Sequence, residues 1–247
     1  MGQDEGGPVM LRFEQGGWWL PDGEEHLQQW MLKVNHKENG LDGETRLTYQ
    51  YHKYQAAMKH TARRGRAIDV GAHVGLWSWV MARDFLDVVC FEPVTVHQEC
   101  WEANMKSAKN ATLHRVALGA TSSVARVRNR TPGSSGDTGI DPVAERSSLR
   151  ASIQDEGEEV QVRTLDEFNI PNVDFIKIDC EGYELYVLQG AVDTIKRCRP
   201  CIIVEQKPET GMKDRYGLEP ADCLNFLGRL GMRVRAGIQG DYILNFG

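Results

Sequence analysis

No run of about 18 apolar residues occurs in the sequence, so a membrane-spanning helix is not expected. The opening residues, MGQDEGGPVM, lack the basic and then apolar start of a secretion signal, which points to a cytoplasmic protein. Gly2 is placed for myristoylation, but Gly6 stands where that signal requires Ser or Thr. Positive charge is also in short supply: 29 Lys and Arg face 35 Asp and Glu, a formal net charge of −6. That balance argues against a general grip on a nucleic-acid backbone, while leaving room for a local basic groove. Internal repeats are absent. Cys198 and Cys201 form a Cys-x-x-Cys, yet no second such pair and no nearby His completes a zinc site. Cys198 reads instead as the end of a helix and Cys201 as the start of a buried strand, where cysteine is a small apolar residue.

What is present is the composition of a soluble globular chain, with 41% hydrophobic and 26% charged residues. Its 247 residues suffice for one α/β domain with a well-buried core and leave little for a second. Residues 1–48 read as a polar lead-in or cap, punctuated by turn signals at Gly16-Gly17, Asp22-Gly23 and Asp42-Gly43. The domain proper spans 49–247. Its spacing predicts a helix over 49–63, a strand at 67–70, a helix over 76–84, a strand at 88–92 and a helix over 95–108. Strands follow at 111–118 and 124–129, then a long Gly-, Ser- and acid-rich loop at 130–157 and a half-exposed strand at 160–165.

DFIKID (174–179) predicts an apolar strand, followed by a helix with a core stripe of Leu185, Leu188, Val192 and Ile195. CIIVE (201–205), a helix over 219–230 and a terminal hairpin of RVRAGI and DYILNF complete the series. Strands alternating with helices imply an α/β, Rossmann-like sheet, mostly parallel with a C-terminal antiparallel hairpin and helices on both faces. Ligands then bind at the carboxyl ends of the strands.

Several strands end on or beside acids: Asp69, Glu92, Asp179 and Glu205. Between the first two lies AIDVGAHVG (67–75), a strand running into a glycine loop. Gly71 and Gly75 have no Cβ, so the backbone can approach a ligand closely. The next helix also points its positive end there. A nicotinamide cofactor would use G-x-G-x-x-G for its pyrophosphate, but His73 replaces the middle glycine and Asp69 would repel phosphate. S-adenosylmethionine has no phosphate and carries a cationic amino group that an acid welcomes. Glu92 can accept hydrogen bonds from both of its ribose hydroxyls.

AIDVGAHVG (67–75), FEP (91–93), ALG (117–119), TLDEF (164–168), VDFIKIDCEGYELYVLQGA (173–191) and RPCIIVE (199–205) together resemble the FkbM-type methyltransferases. The resemblance implies a class I methyltransferase sheet and usually transfer to an oxygen. It assigns Asp69, Gly71, Ala72, His73 and Gly75 to the cofactor loop, Glu92 with Pro93 to the ribose, and Ala117 and Leu118 to the adenine edge. The chain departs from the family in having His73 where Asn is common, and in a longer segment at 130–157.

Transfer from a sulfonium needs alignment above all, and a hydroxyl acceptor must also lose a proton to a base or a metal. Asp179, ending its strand beside the methionine end of the cofactor, is the first candidate for that base. Glu181 and Glu184 follow in the next turn, where acids also suit a helix start. Lys177 shares a strand face with Asp179 and is expected to pair with an acid, since an unpaired lysine costs desolvation in an apolar strand. Glu205 is a candidate for lining the acceptor pocket. Asp179, Glu181 and Glu205 offer oxygen ligands suited to Mg²⁺, but no fixed ligand spacing is present and no metal is expected. His73 is read as positioning the loop or stacking on the cofactor in preference to acting as a base.

Trp18, Trp19 and Trp30 are expected to pack on the domain, with a stacking cap over the site as the other reading. Arg126, Arg128 and Arg130 share a strand face; with Arg63, Arg64 and Arg66 they would meet phosphate, or else form a solvated face. The acceptor is expected to be a hydroxyl on a small molecule or sugar, with a nucleotide or nucleic-acid acceptor as the alternative. A nicotinamide oxidoreductase and a non-catalytic binding module are disfavoured by Asp69 and by the intact acid set.

Overall fold

The computed structural model describes residues 9–140, 157–206, 212–219 and 221–247. The first elements are β1 (Met10–Phe13), β2 (Trp18–Pro21), α1 (His26–Val34), β3 (Lys37–Asn39), β4 (Thr45–Leu47) and α2 (Tyr51–Met58). Then come β5 (Arg66–Val70), α3 (Leu76–Asp84), β6 (Asp87–Phe91), α4 (Thr95–Asn104), β7 (Ala111–His114) and β8 (Ala117–Leu118). β9 (Ser123–Thr131), β10 (Ser134–Ile140), β11 (Glu158–Arg163), β12 (Val173–Ile178), α5 (Glu184–Gln189) and α6 (Val192–Cys198) follow. The chain closes with β13 (Cys201–Glu205), α7 (Met212–Tyr216), α8 (Asp222–Arg229), β14 (Arg233–Ile238) and β15 (Asp241–Asn245).

A seven-stranded sheet in the order β14-β15-β13-β12-β5-β6-β7 organises the molecule. β13, β12, β5, β6 and β7 run parallel, and β15 and β14 add the antiparallel hairpin. This is the Rossmann-like arrangement expected, with an apolar layer on each face. Ala67, Cys90, Phe175 and Ile203 face one layer, together with α3. Ile68, Val70, Ile176, Ile178 and Val204 face the other, with α5, α6 and α8. Both faces being covered explains why these strands read as nearly continuous apolar runs. Asp69 and Lys177 are the polar interruptions on the α3 face, and the β5–β12 register sets them opposite each other.

Chain order reverses between β5 and β12: β6 and β7 lie to one side, β13 to the other. A sheet of this kind offers its ligand crevice at that switch point, outside the carboxyl ends of the strands. Val70 and Ile178 end the two strands, so Gly71 and Asp179 come first into the crevice.

Several expected boundaries are corrected. The strand expected at 111–118 is two: β7 stays in the large sheet, whereas β8 pairs with β11 in a second sheet ordered β10-β9-β11-β8. The single helix expected over Leu185–Ile195 is α5 and α6, broken at Gly190, where a Cβ would sit 2.0 Å from the Gly119 carbonyl oxygen. The helices expected over 49–63, 95–108 and 219–230 are shorter, at Tyr51–Met58, Thr95–Asn104 and Asp222–Arg229. Within the expected loop at 130–157, residues Ser134–Ile140 form β10, antiparallel to β9. Residues 141–156 lie outside the described residues.

Residues 9–48 carry two short hairpins and a helix. Trp18 is fully buried, donates from Nε1 to the Leu47 carbonyl at 2.7 Å and meets Trp79 edge-on. Trp30 packs against Tyr49, and Arg12 lies over Trp19. Among the described residues, no helix is long and apolar enough to cross a membrane.

Candidate active site

Beyond β5 the backbone turns sharply through Gly71 (φ 72°), His73 (φ 51°) and Gly75 (φ 93°), and α3 begins. The amides of Gly71 and Ala72 both donate to the Phe91 carbonyl at 3.1 Å, which pins the loop to β6. Gly71 is required sterically, because a Cβ there would stand 2.0 Å from the Asp179 carbonyl oxygen. His73 adopts a left-handed conformation in which Asn, Asp and His are the best-tolerated residues after Gly. His73 therefore keeps the backbone that the Asn implied by the resemblance would also adopt.

Glu92 lies at the end of β6, 4% exposed. One carboxylate oxygen accepts the His73 amide at 2.9 Å; the other accepts the Val94 amide at 3.0 Å and faces His97 Nδ1 at 3.2 Å. The His73 and His97 rings meet edge to face, centroids 4.2 Å apart. His73 Nε2 lies 2.8 Å from Ser135 Oγ on β10. Ser135 in turn donates both its hydroxyl and its amide to Glu24 Oε2, and Glu24 Oε1 accepts the Leu27 amide at 2.8 Å, at the start of α1. Since the Ser135 proton is committed to a carboxylate, its oxygen accepts from His73, which assigns the proton to Nε2. Burial, then the neighbouring His97 and Lys177, push the His73 imidazole well below its ordinary range, so the ring is neutral.

Across the crevice, Lys177 Nζ donates to the Gly71 carbonyl at 2.9 Å and lies 3.5 Å from Asp69 Oδ1 and 3.7 Å from Asp179 Oδ2. Burial pulls this ammonium down, but Asp179 and Asp69 outweigh it and hold Lys177 above its ordinary range. The expected pairing with an acid is present, with two acids. Asp69 is fully buried and accepts the Ser78 hydroxyl at 2.6 Å. Burial raises its carboxyl, partly opposed by Lys177 and Ser78. Glu184, 1% exposed, braces the turn after Asp179 by accepting the amides of Cys180 at 2.8 Å and Gly182 at 3.1 Å. Its own burial pushes it up to about 7 against those hydrogen bonds.

These groups surround a cleft at the switch point. Gly71, Ala72, His73, Glu92, Pro93, Ala117, Leu118, Lys177, Asp179 and Glu181 all line it. Asp69, Gly75 and Glu205 do not: Asp69 lies beneath the loop, Gly75 caps α3, and Glu205 faces a smaller cavity next door. Carboxylate oxygens of Asp179, Glu181 and Glu205 come within 4.8 Å of one another, close enough to share a cation. Sequence reasoning missed the roof, made by Ser135, Gly136, Thr138, Gly139 and Ile140 of β10 with Leu27 of α1 and Tyr49. It also missed His97, whose only signal was a histidine one helical turn after FEP. The two arginine groups do not converge. Arg66 starts β5 at the end opposite Gly71 and pairs with Asp87, and Arg63 pairs with Asp174. Arg130 bonds within the second sheet to Asp137 and reaches Tyr216.

The sequence profile of the methyltransferase FkbM domain matches residues 69–234. Among solved structures, the chain is similar to methyltransferase FkbM from Methylobacillus flagellatus, at 18% identity and a TM-score of 0.45. The match covers 90% of this chain and 52% of that one, so this chain spans about half its length. It is also similar to a methyltransferase from Geobacter sulfurreducens, at 12% identity and a TM-score of 0.43, over 78% of this chain and 74% of that one. An rRNA methylase from Streptococcus thermophilus is similar at 9% identity and a TM-score of 0.44, over 81% and 96%. No curated protein matches the chain by sequence.

Proposed function

The chain belongs to the FkbM methyltransferase family, and from that premise we propose that it transfers the methyl group of S-adenosylmethionine to a hydroxyl of a small or glycosidic acceptor. The observation that carries this reading is one cleft at the switch point, with the glycine loop and Glu92 on one wall and Asp179 on the other.

The donor set fits the cofactor. Lys177 is the one Lys or Arg on the cleft wall among the described residues, and it is held by Asp69 and Asp179. That leaves no uncommitted Lys or Arg on the wall for a pyrophosphate, and supports a cofactor whose polar ends are ribose hydroxyls and an ammonium. Glu92 would hold the ribose, the Gly71–His73 backbone and Asp179 the methionine end, and Ala117 with Leu118 the adenine edge. When bound, S-adenosylmethionine supplies a methyl group activated by its sulfonium.

The remaining chemistry is the chain's own. Asp179 accepts the acceptor's hydroxyl proton, and Lys177, 3.7 Å away, fixes that carboxylate in direction. The β10 roof excludes water and orients the acceptor, which accounts for most of the rate advantage in a displacement of this kind. Residues 1–48 act as a cap on the catalytic domain over 49–247, with Leu27 reaching the cleft. Mg²⁺ is not required in this reading.

Calorimetric titration with S-adenosylmethionine, S-adenosylhomocysteine and NADH tests it, repeated on Glu92→Ala. Both sulfur ligands should bind, and Glu92→Ala should weaken them by roughly tenfold or more, the loss of a charged hydrogen-bond acceptor. NADH binding without a response to either sulfur ligand would refute the proposal.

A further inference from the structure

Next to the main cleft lies a small cavity with room for about one water-sized group, bounded by Gln50, Trp77, Lys177, Asp179, Glu205 and Asp241. It shares Trp77, Lys177 and Asp179 with the cleft, so the two spaces meet at the candidate base. Gln50 is 8% and Trp77 5% exposed. Gln50 Oε1 and Trp77 Nε1 are buried with no hydrogen-bond partner among the described residues. Buried polar atoms left this way each cost of the order of 1–3 kcal/mol, so each calls for a partner such as a water, an ion or a ligand group.

The pair is one acceptor and one donor. A metal ion or an ammonium would suit Gln50 Oε1 and the carboxylates of Asp179, Glu205 and Asp241 but would leave the indole N–H without an acceptor. A hydroxyl satisfies both, donating to Gln50 Oε1 and accepting from Trp77 Nε1. We propose that this cavity is an acceptor subsite that anchors one hydroxyl of a polyhydroxylated, sugar-like molecule while a neighbouring hydroxyl is presented to Asp179. Gln50 and Trp77 are then specificity-determining residues, and Glu205 lines the same subsite. The proposal rests on the methyltransfer reading above and narrows its acceptor.

The test is transfer of labelled methyl from S-adenosylmethionine to myo-inositol and methyl α-glucopyranoside, set against benzyl alcohol and phenol. Gln50→Met, Gln50→Glu and Trp77→Phe are assayed beside the wild type, and thermal melting identifies any variant that fails to fold. The expected result is transfer to a polyol. Gln50→Met and Trp77→Phe should each lower kcat/KM for it by about tenfold or more, as for a site left with an unpaired polar group. Gln50→Glu, which keeps an oxygen acceptor, should retain more activity than Gln50→Met, and Gln50→Met should bind S-adenosylhomocysteine as the wild type does. Three results would overturn the proposal: no transfer to either polyol, equal use of the monohydric probes, or unchanged kinetics in both variants, meaning a structural water only. Activity that follows added Mg²⁺ and disappears with EDTA would assign the cavity to a cation instead. Failure of the wild type to bind S-adenosylhomocysteine would sink the methyltransfer reading itself, a result separable from all of these.

Discussion

His73 Nε2 and Ser135 Oγ stand 2.8 Å apart, and that hydrogen bond ties the glycine loop to the roof of the cleft. The loop belongs to the large sheet and Ser135 to the second, so a single polar contact spans two packing units. Ser135→Ala strips His73 of its acceptor and Glu24 of a donor. The expected result is a loss of S-adenosylhomocysteine affinity of about tenfold, near 1.4 kcal/mol, measured by calorimetry. Unchanged affinity would mean that roof and loop are not coupled. The contact also depends on pH. His73 is held below 6.5, so its neutral form stabilises the fold above that pH, and the contribution is lost as pH falls toward the depressed value.

Lys177→Met tests the buried ion pair. Without the ammonium, Asp69 is a fully buried carboxylate whose remaining partner is the Ser78 hydroxyl. Removing one member of a buried pair costs roughly 3–5 kcal/mol, to be read as a fall in the urea midpoint with an unchanged slope. The deficit should shrink as pH falls, because protonating Asp69 removes the uncompensated charge. A midpoint within error of the wild type would show that Asp69 and Lys177 do not stabilise each other.

Glu184 provides a second titration with the opposite consequence to His73. Its carboxyl is raised from 4.5 to about 7 in the folded state, chiefly by burial. A raised acid contributes stability that is fully present below 4.5 and is lost as pH rises through 7. Gln keeps the oxygen that accepts from Cys180 and Gly182 but carries no charge. Relative to Glu184→Gln, the wild type should therefore lose stability between pH 4.5 and about 7.5, by up to roughly 3 kcal/mol. Melting curves across that interval decide it, and parallel curves would rule the effect out.

Asp179→Asn tests the base at saturating donor, because the same carboxylate is assigned to the methionine end and its loss should also weaken donor binding. Loss of a general base lowers turnover by about 10²–10⁴, a fall in kcat that added donor does not restore. An Asn variant with full turnover on an accepted substrate would remove Asp179 as the base.

Much of this site was legible in the chain. α3 over Leu76–Asp84 and β13 over Cys201–Glu205 agree with their sequence reading; for β13 the reason is that a strand buried on both faces leaves an unbroken apolar signature. The crevice acids were legible for the same reason, being the abrupt polar ends of apolar runs. The roof was not. SSGDTGI lacks the β-branched and aromatic residues of a strand, and its pairing with β9 depends on tertiary contacts, not on local preference. Its glycines weaken the strand but leave the backbone open to a ligand. Gln50 and Leu27 were hidden differently. Leu27 lies in the lead-in, where no element was expected, and Gln50 at the start of the helix expected over 49–63; the burial of both is set by partners distant in sequence.

The pairing of β5 with β12 joins residues more than a hundred positions apart, Asp69 to Lys177. Until β12 has left the ribosome, β5 is an edge strand with a row of unanswered amides and carbonyls, the kind of surface that recruits other chains. The donor half therefore cannot be matured first and the acceptor half added later: both walls come into being in one late event of synthesis. A fragment ending before β12 would display an aggregation-prone edge where the full chain holds its catalytic crevice.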